Sequence, residues 1–123
     1  MKCITLLTDF GLQDGFVGMM KGVIYGICPD VQLVDITHLI QPQDILAGAL
    51  ALERSMPYFP PGTVHIAVVD PGVGTIRRPM AAQIGTHLLV GPDNGLFTAV
   101  FSYAEHQKWP VDMVLLENQY YWR

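Results

Sequence analysis

The 123-residue sequence predicts an α/β fold, a mostly parallel sheet flanked by helices with a hairpin late in the chain. Three observations carry that prediction. Apolar runs over residues 3–7, 31–36 and 64–69 are short, rich in β-branched residues and bounded by turn formers, as buried strands are. The segments between them, 16–27 and 45–55, repeat apolar residues at helical spacing and are long enough to carry the chain back over a sheet. That makes the three strands parallel and the crossovers right-handed. Each strand also delivers an aspartate at or just past its C-terminal end, Asp9, Asp35 and Asp70, so the three share the edge at which open parallel sheets bind ligands.

In chain order, the first strand runs into Thr8 and Asp9, and 10–14 is a loop that pivots on Gly11. Asp14 is placed to cap the helix over 16–27, whose expected buried side is Phe16, Met19, Met20, Val23, Ile24 and Ile27, and Pro29 ends it. The second strand leads into a loop over 37–43 containing Pro42. Asp44 is placed to cap the helix over 45–55, with Ile45, Leu46, Ala49, Leu50 and Leu52 as its buried stripe. Pro57, Pro60, Pro61 and Gly62 close that helix and turn the chain into the third strand. Beyond Pro79 two short runs, 80–84 and 87–90, flank Gly85 and Thr86 as a hairpin, and the loop GPDNG over 91–95 presents Asp93 and Asn94, which suit a turn and a site equally. A short helix over 96–101, a polar loop to Pro110 and a strand over 113–116 follow. The last residues carry Tyr120, Tyr121 and Trp122 with no polar tail, the pattern expected of a chain that stops inside a larger structure.

Composition excludes several functions. Half of the residues are hydrophobic and 15% are charged, which suits one domain with one core. The net charge of −4, with seven scattered Lys and Arg, makes no basic footprint, so a nucleic-acid partner is not expected. Cys3 and Cys28 share no CxxC or metal-ligand spacing and read as reduced thiols. His38, His65, His87 and His106 share no metal spacing either, so no metal is expected. The apolar run before Asp9 is too short for a signal-peptide core and no uncharged run approaches a membrane span, so a cytoplasmic protein without a membrane partner is expected.

The densest chemistry lies over 64–79, VHIAVVDPGVGTIRRP. The strand stops at Asp70 because Pro71 forbids the next ladder bond, Gly72 and Gly74 permit close approach of a ligand, and Arg77 and Arg78 bring guanidinium groups back toward the carboxylate. In an extended segment the two arginines point to opposite sides, which leaves a one-residue ambiguity over the one that faces Asp70. The same residues suit a β-turn with a surface ion pair. Asp35, likewise, suits a strand-end acid that bonds the following loop as well as a ligand contact.

Three stretches, LLTDFGLQDGFVGMMKG, VDITHLIQPQDILAGALAL and FPPGTVHIAVVDPGVGTIRRP, followed by VGPDNGLFT, resemble the S-adenosylmethionine hydrolase family. Its members are also called S-adenosyl-L-methionine hydroxide adenosyltransferases and are relatives of the fluorinating and chlorinating enzymes. The resemblance covers nearly the whole chain in order and spacing. It implies that residues 1–123 are an N-terminal α/β domain that binds S-adenosylmethionine, that a C-terminal β-barrel domain is absent from this chain, and that the full protein is a homotrimer with sites between the N-terminal domain of one subunit and the C-terminal domain of the next. The implied reaction is hydrolysis of S-adenosyl-L-methionine, as substrate, to adenosine and L-methionine without a cofactor. Asp70 and Arg77 match the family's catalytic aspartate and the arginine seven residues later, and Asp9, in TDFG, matches the carboxylate that holds the ribose hydroxyls. The family's catalytic histidine, from a TFHGRD-like stretch, has no counterpart up to Arg123, so this chain alone is expected to be inactive. Halogenating relatives carry Tyr at the position of Asp70 and lack the Arg at that of Arg77, which sides this chain with the hydrolases.

Elementary chemistry agrees with that implication. A sulfonium is already a good leaving group, so the reaction needs an aligned, activated water more than an acid for departure. A carboxylate at Asp70 can orient that water and favour a cationic substrate, a guanidinium at Arg77 lowers the cost of developing hydroxide character, and a carboxylate at Asp9 can accept both vicinal ribose hydroxyls. Two other functions fit the residues. Three aspartates at adjacent strand ends can hold Mg²⁺ in a metal-dependent phosphohydrolase, although no GxxxxGK[ST] loop or Asp-x-Asp pair accompanies them. A nucleoside-binding module without turnover fits a chain that lacks the histidine.

Overall fold

The computed structural model describes residues 2–69 and 79–115, the side chains of 114 and 115 excepted. Within them the chain forms β1 (Cys3–Thr8), α1 (Phe16–Ile27), β2 (Gln32–Thr37), α2 (Ile45–Ser55), a short 3-10 turn (Met56–Tyr58), β3 (Val64–Val68), β4 (Pro79–Ile84), β5 (His87–Pro92), α3 (Thr98–Gln107) and β6 (Val111–Leu115). The strands make one sheet in the order β2-β1-β3-β5-β4-β6. β1 pairs in parallel with β2 and β3, and β3 with β5, whereas β4 runs antiparallel to both β5 and β6. The α/β class, the parallel strands and the late hairpin all match the expectation. From β1 the chain first steps to β2 on one side and then returns past β1 to β3 on the other, so the order reverses between β1 and β3. A ligand crevice at the carboxyl ends of these two strands follows from that reversal.

Strand alternation divides the core in two. His65, Ala67 and Val69 point toward α2 and α3, where the larger cluster lies around Leu7, Leu52, Met56, Leu89, Phe97 and Val100. Val64 and Ile66 point the other way, onto a small cluster of Ile4, Leu6 and Val31 that α1 covers with Met20 and Ile24. α2 comes close to the end of β3 because Gly48 carries no side chain: a Cβ there would sit 2.9 Å from Leu96 Cδ1 and 3.0 Å from Val69 Cγ2.

Several local expectations need correction. α1 has the expected bounds, but its N-cap is Gly15 and Asp14 makes no capping bond. None of its residues is fully buried, and Phe16, Met19, Val23 and Ile27 are exposed, because one helix lies over a narrow cluster and only Met20 and Ile24 reach it. In α2 the cap is as expected, with the Ala47 N–H donating to Asp44 Oδ1 at 3.0 Å. Its buried residues are Gly48, Ala49 and Leu52, while Leu46 and Leu50 face solvent. α3 is a ten-residue helix that occupies most of the expected polar loop, since Val100 and Ala104 give it a buried side and Lys108, with φ 59°, ends it in the left-handed region. β6 begins two residues early, at Val111. Cys3 and Cys28 are free and half-buried. No described helix is long and apolar enough to cross a membrane.

Candidate functional site

Asp9 stands one residue beyond β1, at the strand-order reversal, and its N–H lies 3.4 Å from the Val68 carbonyl at the end of β3. It lines a cleft of about 270 Å³ whose walls are the two loops that leave β1 and β2: Phe10 and Gly11 on one side, His38, Leu39, Ile40, Gln41 and Pro42 on the other. The Gln43 N–H donates to Asp9 Oδ2 at 3.0 Å. Gln43 adopts φ 67°, a left-handed conformation that a non-glycine residue takes only where its surroundings hold it. Among the described residues no donor reaches Asp9 Oδ1, which leaves that oxygen available for a ligand hydroxyl.

Behind the cleft a chain of side-chain hydrogen bonds ties three elements together. Lys21 of α1 donates to Asp35 Oδ2 at 2.7 Å, and His38 Nε2 lies 2.7 Å from Asp35 Oδ1. The other ring nitrogen of His38, Nδ1, is 2.7 Å from Thr8 Oγ1, which in turn accepts the Phe10 N–H at 3.2 Å. Burial works to raise the Asp35 pKa, but the hydrogen bonds and charges of Lys21 and His38 outweigh it and hold the carboxyl below its ordinary value. Asp35 is therefore an acceptor-only carboxylate with both oxygens engaged, as a strand-end acid bonding its own loop would be.

Of the residues singled out from the sequence, Asp9 and Asp35 come to the same sheet edge, and Asp35 spends its two oxygens on Lys21 and His38. Asn94 resolves as a brace: its Nδ2 donates to the Val69 carbonyl at 2.7 Å and its Oδ1 accepts the Leu96 N–H at 3.1 Å, fixing the residue just before Asp70. Asp93 is exposed on the same turn. Asp70, Arg77, Arg78, Tyr120, Tyr121 and Trp122 lie outside the described residues. His38 and Gln43 are the residues that sequence reasoning missed. The spacing of Asp35 and His38 across a strand exit was a usable signal for the first, but a left-handed glutamine leaves none.

Comparison with known proteins bears on this site. The model of the SAM hydroxide adenosyltransferase N-terminal domain matches residues 4–121. A protein of Salinispora arenicola named (R)-S-adenosyl-L-methionine hydrolase is 52% identical over 93 residues, covering 76% of this chain and 35% of that protein. A protein of Nocardia brasiliensis named fluorinase is more distant, 32% identical over 120 residues, covering 79% of this chain and 40% of that protein. In three dimensions the chain is similar to a conserved hypothetical protein from Thermus thermophilus, with a TM-score of 0.80 at 44% identity over 95% of this chain and 47% of the other. The chain thus spans well under half the length of the curated relatives it matches.

Proposed function

The chain belongs to the family of SAM hydroxide adenosyltransferase N-terminal domains, and from that premise we propose that the protein hydrolyses S-adenosyl-L-methionine to adenosine and L-methionine. Water attacks C5′, the C5′–S bond breaks with its electron pair going to sulfur, the sulfonium becomes the neutral thioether of methionine, and the water loses one proton. The observation that carries this reading is the placement of Asp9 just past the C-terminal end of β1, with one carboxylate oxygen held by the Gln43 N–H and a cleft open beside it between the loops that leave β1 and β2. A carboxylate so fixed suits a pair of vicinal ribose hydroxyls. The higher identity to proteins named as hydrolases than to those named fluorinases, and the presence of both Asp70 and Arg77, support water over halide as nucleophile.

In this reading Asp70 orients the attacking water and contacts the substrate, and Arg77 stabilises its hydroxide character. Residues 1–123 form the N-terminal substrate-binding domain, a histidine from a later domain completes the set, and the reaction uses no cofactor. A homotrimer is supported by the outer side of α1, where Phe16, Met19, Val23 and Ile27 form an exposed apolar stripe of the kind that subunit contacts cover. The two free cysteines are consistent with a reducing cytoplasm.

The test is incubation of the full-length protein with S-adenosyl-L-methionine and chromatography of the products, with and without a chelator. Equimolar adenosine and methionine, insensitive to the chelator, are expected. Binding of adenosine with no product would point to a nucleoside-binding module, and chelator-sensitive release of phosphate from a phosphate ester would point to the metal-dependent phosphohydrolase.

A further inference from the structure

We propose that His38 is a positioning residue that sets the aim of Asp9, acting through Thr8 and the loop that leaves β1. The proposal rests on the reading of Asp9 as the carboxylate that faces a ribose.

Four contacts place His38 at the control point of that loop. Asp35, an ionised carboxylate, can only accept, so the proton between Asp35 Oδ1 and His38 belongs to Nε2. In the neutral ring this leaves Nδ1 as an acceptor, and the Thr8 hydroxyl donates to it across 2.7 Å. With its proton committed, Thr8 Oγ1 accepts the Phe10 N–H at 3.2 Å. The His38 backbone carbonyl then accepts the Gly11 N–H at 2.8 Å. The residue before Asp9 and the two residues after it are all tied directly or through Thr8 to one histidine. His38 itself is 3% exposed and Thr8 is fully buried, so in the folded chain these bonds are shielded from solvent. Lys21, bonded to Asp35 Oδ2 at 2.7 Å, anchors the far end of the relay on α1.

A residue that only stabilised the fold would affect every ligand alike, whereas one that aims Asp9 controls discrimination between a nucleoside with ribose hydroxyls and one without them. The measurement is therefore the ratio of dissociation constants for 2′,3′-dideoxyadenosine and adenosine, by calorimetry on the full-length protein. Wild type should prefer adenosine by about ten- to a hundredfold, the range for hydrogen bonds to a charged group. In His38→Ala and in Thr8→Val, a near-isosteric change that removes only the hydroxyl, the ratio should fall below about threefold, through weaker adenosine binding with dideoxyadenosine unaffected. Thr8→Ser keeps the hydroxyl and should restore the preference. Wild-type ratios in both His38→Ala and Thr8→Val would overturn the positioning role while leaving Asp9 on the ribose. No preference in the wild type would overturn the reading of Asp9, and this proposal with it. Should His38→Ala fail to fold, the comparison of Thr8→Val with Thr8→Ser decides the matter alone.

Discussion

The Gln43 N–H donates to Asp9 Oδ2 at 3.0 Å across a sequence separation of 34 residues, and Gln43 holds the left-handed φ of 67° at that contact. The loop from β2 to α2 thus holds an unfavourable backbone conformation while it presents a donor to the carboxylate at the end of β1. For a residue with a Cβ that conformation costs about 1–2 kcal/mol. Gln43→Gly removes the steric part of that cost and should change stability by less than about 1 kcal/mol, in the favourable direction. Gln43→Pro, locked near negative φ and without an N–H, should weaken adenosine binding and lower the melting temperature. Melting curves and calorimetry on the two variants check both outcomes.

Close approach of β3 and β5 leads to a second prediction. A Cβ at Gly91 would lie 2.3 Å from the Ala67 carbonyl oxygen and 3.0 Å from Phe97 Cζ, and backbone cannot rotate away as a side chain can. Gly91→Ala should destabilise by about 1–3 kcal/mol, the range for overpacking. On the outer side of α1 a Cβ at Gly22 meets nothing within 4 Å, so Gly22→Ala should stabilise by roughly 0.5–1 kcal/mol. Urea denaturation of the pair should show shifts of opposite sign.

The buried histidines make stability depend on pH. His65 bonds Thr5 Oγ1 through Nδ1 at 2.7 Å and reaches His87 Nδ1 through Nε2 at 3.1 Å, and no part of it is exposed. Burial, with the charge of His87, lowers the His65 pKa from 6.5 to about 4, and burial also lowers that of His87. A histidine whose folded pKa is depressed is held neutral by the fold, so below about pH 6.5 the unfolded chain binds more protons and stability falls until the folded pKa is passed. For His65 the shift corresponds to on the order of 3 kcal/mol. Urea midpoints should decline from about pH 7 to about pH 5, above the range in which protonation of Asp35 adds its own loss. A flat profile over that interval would contradict the buried neutral pair.

Asp70 and Arg77 carry the chemical step in the proposed reaction. Asp70→Asn should abolish turnover with the melting temperature unchanged, because the side chain is assigned to water and not to the core. Arg77→Lys should lower kcat by at least about tenfold, since an ammonium does not replace a planar fork. A greater loss in Arg78→Ala than in Arg77→Ala would reassign the role to the neighbouring arginine.

The fold was readable where its causes are local. Asp44 caps α2 through a bond to a residue three positions on, and Gly85 and Thr86 close a hairpin between adjacent strands, so both follow from neighbours in sequence. Burial was not readable in the same way. Periodicity marked Phe16, Met19, Val23 and Ile27 as apolar, but which of them reach a core depends on the width of the sheet beneath α1 and on what else covers that side. α3 runs longer than its local sequence suggests: Glu105, His106 and Gln107 look like loop, while the packing of Val100 and Ala104 in the core carries the helix past them. At the site, Asp9 stood out by its place after a strand. His38 has a local partner in Asp35, three residues back, but its role does not show in sequence because its second partner, Thr8, is thirty residues away on another strand and meets it only in the folded chain.

The central claim, that water displaces methionine at C5′, is tested most directly by running the reaction of the full-length protein in ¹⁸O-labelled water and locating the label by mass spectrometry. One ¹⁸O in the 5′-hydroxyl of adenosine and none in methionine is the predicted result. Adenosine released without label, or no adenosine at all, would contradict hydrolysis at C5′.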